Sequence, residues 1–101
     1  MLFENMKCTC DDLSLFSKEL STISQIHRLQ IICMLSKVKS LCVCEIIQEL
    51  GIKQNLVSHH LKVLKELNLL TTERKGQNIH YAINKEVFGE FTKIMKHLFT
   101  I

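Results

Sequence analysis

The chain is 101 residues long, 47% hydrophobic and 23% charged, with no proline and three glycines, and its formal charge is +3. These values exclude a disordered or collagen-like chain and disfavour a turn-rich all-β fold, while the length suits one domain with a modest core. No apolar run approaches the ~18 residues of a membrane span and no secretory leader is legible, so a cytoplasmic protein with no membrane partner is expected.

Charge and cysteine usage narrow this further. From Met1 to Ile52 there are five Lys/Arg against six Asp/Glu, and from Lys53 to Ile101 eight against four. The basic excess lies in the second half, which suits a face turned to phosphates. The five cysteines include two Cys-x-Cys pairs, Cys8/Cys10 and Cys42/Cys44. In a reducing compartment, closely spaced cysteines point to metal or redox chemistry rather than to structural disulfides.

In chain order, residues 1–11 lack a sustained period and read as an N-terminal arm that carries Cys8 and Cys10. Residues 12–101 then read as one domain. A first helix is expected from Asp12 to Thr22, entered through Asp11 and Asp12, with Leu13, Phe16 and Leu20 on one face. A second, capped by Ser24, runs to about Ser36 with Ile26, Leu29, Ile32, Cys33 and Leu35 apolar, and Cys33 is read there as a small core residue. The polar "SKVKS" breaks the pattern. "VCEIIQEL" begins a short third helix with Ile46, Ile47 and Leu50 inward, and Gly51 ends it in a tight left-handed turn. A fourth helix from about Gln54 to Leu67 buries Val57, Leu61, Leu64 and Leu67, and the pair makes a helix-turn-helix. The opposite face of the fourth helix is polar throughout. After Asn68 the period becomes two, and "LLTTERKGQNIHYAI" reads as a basic two-stranded hairpin turning at Gly76. From Lys85 onward Val87, Phe88, Phe91, Met95, Leu98 and Phe99 mark a terminal helix.

This order, with "LCVCE", "LVSHHLKVL" and "RKGQNIHYAI" as its most specific stretches, resembles the ArsR/SmtB family of metal-sensing repressors across about 90 residues. Within it the chain is most similar to the cadmium/lead/zinc-sensing branch. The resemblance implies a mainly α (α+β) winged helix-turn-helix with a two-stranded β-hairpin wing. It further implies a homodimer through the first and last helices, with Leu13, Phe16, Leu20, Phe88, Phe91, Met95 and Leu98 at the interface and exposed apolar faces around Phe16 and Phe91.

Side chains near the N-terminus of a helix seated in the major groove meet base edges first, which nominates Gln54, Asn55, Ser58 and His59 for base contacts. Lys62, Arg74 and Lys75 are candidates for phosphates, with Gln77 and Asn78 at the wing tip near a minor groove. His60, beside Leu61, is read as a packed histidine. The expected partner is double-stranded DNA, and a two-fold dimer would require an operator with an inverted repeat.

Thiolates are soft ligands, and four around one ion close a tetrahedral site. Cys42 and Cys44 converge if Cys42 precedes the first turn of the third helix, whose N-terminus also lowers thiol pKa. The arm supplies Cys8 and Cys10, in the resembling family from the other subunit. Cd(II), Pb(II) or Zn(II) is therefore the expected effector, four thiolates suiting Cd(II) and Zn(II) and three suiting As(III) or Pb(II). Metal binding is expected to release the operator. Two rivals are a winged-helix regulator switched by cysteine oxidation and a zinc-stabilised interaction module without a DNA role. The terminal-helix metal site of the family finds no matching ligand pattern in Glu86, Glu90 and His97, and no enzyme is legible.

Overall fold

The structure, a computed structural model, describes residues 7–99; the part of the expected arm before Lys7 lies outside the described residues. Helix α1 (Cys10–Ile23) begins two residues earlier than Asp12. The reason is Thr9, whose Oγ1 accepts from the amide of Asp12 at 3.2 Å and caps the helix, leaving Asp11 and Asp12 in the first turn against the positive dipole end. Cys10 and Asp11 thus belong to the helix and not to an arm. Helix α2 (Ile26–Ser36) is capped by Gln25, whose Oε1 accepts from the amide of Arg28 at 3.0 Å. Ser24 instead closes α1, its amide donating to the carbonyl of Leu20.

The buried face of α2 also differs from expectation. Ile31 and Leu35 are in the core, whereas Ile26, Leu29 and Cys33 are exposed. Apolar residues stand on every side of this helix, so spacing alone cannot choose the inward side; its packing against the rest of the domain does.

Helix α3 (Val43–Leu50) buries Ile46 completely and stops at Gly51, which has φ 67° and ψ 23° and donates its amide to Ile47. Helix α4 (Gln54–Glu66) places Val57, Leu61 and Leu64 in the core at helical spacing. Its exit is a Schellman turn: Asn68 at φ 59° donates to Lys65 O, and Leu69 donates to Leu64 O. That turn delivers Leu69 and Leu70 into the core beside Ile31, Leu35, Ile46, Val57, Leu61 and Leu64.

Strands β2 (Leu70–Lys75) and β3 (Asn78–Ile83) form the antiparallel wing, joined at Gly76, φ 64°, and Gln77. A third strand was not expected. β1 (Leu41–Cys42) pairs with the other side of β3, Leu41 opposite Tyr81 and Cys42 opposite His80, so the sheet order is β1-β3-β2. Two residues are too few to show a period, and only pairing with β3 makes them a strand. Asn84 then starts helix α5 (Lys85–Phe99), its Oδ1 accepting from the amide of Val87 at 3.4 Å.

Helices α1 and α5 meet within one chain. Phe16, 4% exposed, and Phe91, 7% exposed, lie with ring centroids 5.1 Å apart, and Phe88 meets Phe91 edge-on at 6.2 Å. The expectation of exposed faces around Phe16 and Phe91 is corrected, because the two rings satisfy one another. Leu13, Leu20, Phe88 and Met95 are half-buried, and the exposed apolar groups on these helices are Leu15, Leu98 and Phe99. Among the described residues no helix is long and apolar enough to cross a membrane.

Candidate nucleic-acid interface and cysteine pair

Helix α4 has two chemically different faces because its apolar residues recur at 57, 61 and 64. Turned away from that stripe, Gln54, Asn55, Ser58, His59 and Lys62 are all exposed. The wing adds Arg74, Lys75, Gln77 and Asn78, also exposed, with Lys75 opposite Asn78 at the hairpin end. A cleft of about 450 Å³ separates helix from wing, lined by Gln54 and Ser58 on one side and by Gln77, Asn78 and Ile79 on the other. Its remaining wall is Cys42, Val43, Cys44 and Ile47.

His60 faces the opposite way. It is 6% exposed, and its Nδ1 accepts from Arg28 Nε at 3.3 Å, a bond that requires the Nδ1-unprotonated ring. The rings of His27 and His59 lie 5.8 and 5.7 Å from it, and the Nδ1 of His27 donates to Gln30 Oε1. Burial, then Arg28, then His59 and His27 hold the His60 pKa below its ordinary value. The packed reading of His60 is what the structure has. Arg28 and His27 carried no sequence signal, because they meet His60 only through the fold, Arg28 across 32 residues of chain.

The cysteine pair sits where β1 becomes α3. Cys42 is the N-cap, with extended backbone at φ −79° and ψ 163°, and Glu45 reaches back so that Oε1 accepts from the Cys42 amide at 3.0 Å. The Cys42 sulfur faces the Glu45 amide in the reciprocal half of this capping box. Because Cys42 lies outside the first turn, its side chain converges with that of Cys44, and a disulfide joins them across a Cα separation of 5.5 Å. The two partners differ in access: Cys42 is 6% exposed, whereas Cys44 is open to solvent. On the neighbouring strand His80, paired with Cys42, has a buried Nδ1 with no hydrogen-bond partner among the described residues.

Cys8 and Cys10 are free and exposed at the start of α1, as is Cys33 on α2, which corrects its reading as a core residue. Among the described residues no three His, Cys, Asp or Glu side chains of one chain are grouped to hold a metal ion. The converged sulfurs of Cys42 and Cys44 fit half of a thiolate site, and closing it takes ligands from elsewhere. Glu86 and Glu90 of α5 line a separate cleft of about 370 Å³ with Asp11, Asp12 and Glu19. Glu19, 5% exposed, has its carboxyl pKa raised by burial.

Residues 27–72 match the family described as bacterial regulatory protein, arsR family. An uncharacterized HTH-type transcriptional regulator of Methanocaldococcus jannaschii is 36% identical over 72 residues, covering 70% of this chain and 80% of that protein. The chain belongs to the arsR family. An arsenical resistance operon repressor of Staphylococcus aureus is 35% identical, with 72% and 73% of the two chains covered. Among solved structures, reduced HlyU from Vibrio cholerae superposes with a TM-score of 0.71 at 26% identity, covering 90% of this chain and 95% of that one. This ArsR-family chain is accordingly a winged-helix transcriptional repressor that binds DNA, and not an enzyme.

Proposed function

We propose that this ArsR-family protein acts as a homodimer that holds an inverted-repeat operator and releases it when soft-ligand chemistry engages its cysteines. The observation that carries the reading is the position of Cys42 and Cys44, on the wall of the cleft between the exposed polar face of α4 and the wing tip. Gln54, Asn55, Ser58 and His59 then read bases, Lys62, Arg74 and Lys75 neutralise phosphates, and Gln77 and Asn78 approach a minor groove. Exposed Leu15, Leu98 and Phe99 on α1 and α5 support pairing of two chains through these helices, with half-buried Leu13, Leu20, Phe88 and Met95 behind them.

In the reduced protein Cys42 and Cys44 would hold a thiophilic ion, with Cys8, just before α1, and Cys10, in its first turn, completing its shell from the other chain of the dimer. Cd(II) and Zn(II) suit four thiolates, and As(III) or Pb(II) suits three. The 35% identity to an arsenical resistance operon repressor favours keeping As(III) in the set. Linkage makes the coupling reciprocal, so DNA must weaken ion binding by the same factor, on the order of 1–3 kcal/mol. The test is operator affinity of the reduced dimer for DNA upstream of its own gene, with and without each ion, alongside Cys42→Ser and Cys8→Ser. Affinity that is identical with every ion at saturation would overturn the reading.

A second reading is favoured by the Cys42–Cys44 disulfide: oxidation of this pair is itself the switch. Operator affinity measured for fully reduced and fully oxidised protein without metal separates the two.

A further inference from the structure

Cys42 and Cys44 differ in ways that decide how their disulfide would react. A thiolate attacking a disulfide chooses the sulfur it can reach and expels the sulfur that is the better-stabilised thiolate. Here both conditions select the same direction. Cys44 is exposed on the cleft wall, whereas Cys42, which borders the same cleft, is only 6% exposed. Cys42 is also the N-cap of α3, with its sulfur facing the Glu45 amide, and a helix N-terminus stabilises a thiolate.

We propose that Cys44 is a thiol-exchange site at which a low-molecular-weight, amide-bearing thiol becomes attached inside the cleft between α4 and the wing. The step balances without a further oxidant: the incoming thiolate forms a bond to Cys44 Sγ, the Cys42–Cys44 bond breaks, and its electron pair leaves on Cys42 as a thiolate. The product is a mixed disulfide on Cys44.

The surroundings match that class of ligand. The cleft, about 450 Å³, is within the range of small-molecule sites, and its polar groups are the amides of Gln54, Gln77 and Asn78 with the hydroxyl of Ser58. Among the described residues no charged side chain lines it. Such groups pair with peptide-like amides. They are also the proposed base-reading and wing-tip residues, so an attached thiol displaces DNA by occupying its place and needs no rearrangement of the fold. This inference rests on the operator-facing reading of the cleft given above.

Glutathione is the probe. The oxidised full-length protein is mixed with it, quenched in acid and mapped by mass spectrometry, and Cys42→Ser is treated in parallel with glutathione disulfide, where Cys44 cannot be resolved by its neighbour. The expected result is one adduct on Cys44 in both, formed ahead of Cys8, Cys10 and Cys33, with operator affinity of the modified Cys42→Ser protein lowered by about tenfold or more, the loss of a base contact or two. Cys44→Ser should keep its affinity under the same treatment. Attachment at Cys42, preferential attachment at the other cysteines, or an adduct on Cys44 that leaves operator binding unchanged would each overturn the proposal. Failure of the underlying DNA reading is distinguishable, because the untreated protein would then not bind the operator at all.

Discussion

Arg28 Nε donates to His60 Nδ1 across 3.3 Å and so ties α2 to the inner side of the helix whose outer side carries Gln54, Asn55, Ser58 and His59. Burial and the neighbouring Arg28, His59 and His27 disfavour the imidazolium, so the folded chain binds this proton less readily than the unfolded one. His60 therefore contributes nothing adverse above the ordinary value of 6.5, and stability falls as pH drops below it. Urea midpoints from about pH 7.5 to 5.5 should decline in the parent and decline less in His60→Gln. Equal slopes in the two proteins would remove His60 from the explanation.

Glu19 runs in the opposite direction along the pH axis. Burial raises its pKa from the usual 4.5, so the folded chain prefers the protonated acid and its stability falls as pH rises from 4.5 through the raised value. Glu19→Gln should melt higher than the parent at neutral pH and no higher below 4.5, as followed by thermal unfolding. A difference that persisted unchanged into acid would mean packing, not charge, decides this position.

Phe16 and Phe91 hold α1 to α5, and truncating one of them should cost about 3–5 kcal/mol in chemical denaturation. Leu15→Ala, beside it in sequence but 60% exposed, should change the folding stability of the single chain by about 0.5 kcal/mol or less. Should the dimer form as proposed, Leu15→Ala will instead weaken self-association, which sedimentation at several concentrations reads separately.

Gly51 stands in the left-handed region, and among the described residues beyond its chain neighbours nothing lies within 4 Å of where a Cβ would sit. Its substitution by Ala is therefore a backbone effect, about 1 kcal/mol of destabilisation, and Asn should recover part of it. Thermal melts of Gly51→Ala and Gly51→Asn check the order; an Ala variant as stable as the parent would show that the turn between α3 and α4 relaxes.

Arg74 and Lys75 stand on the wing, and each replaced by Ala should weaken operator binding across sequences and flatten the plot of log affinity against log salt by about 0.9. Gln54→Ala should leave that slope unchanged and relax discrimination at one base pair. Equal slopes for all three proteins would take the wing away from the phosphates.

Much of this architecture was legible in the residues. The stripe Val57, Leu61 and Leu64 against polar Gln54, Asn55, Ser58 and His59 displays both faces of α4, and Gly51 and Gly76 stand where the chain turns at positive φ. What could not be read has a common cause. α2 is apolar all round, so the inward choice of Ile31 over Leu29 depends on what packs against it. β1 is two residues long and is a strand only because β3 pairs with it. Thr9 outcompetes Asp11 as a cap through one hydroxyl contact.

Local chemistry, written in neighbouring residues, determined the order of elements, the polar outer side of α4 and the basic hairpin, because helical and strand periods and turn residues act over a few positions. Only the assembled fold decided that Phe16 meets Phe91, that Arg28 meets His60, and that Cys42 is shielded while Cys44 opens on the cleft between α4 and the wing. Those relations join groups far apart in the chain or depend on which face an element turns inward, and that is settled by close packing of the whole domain.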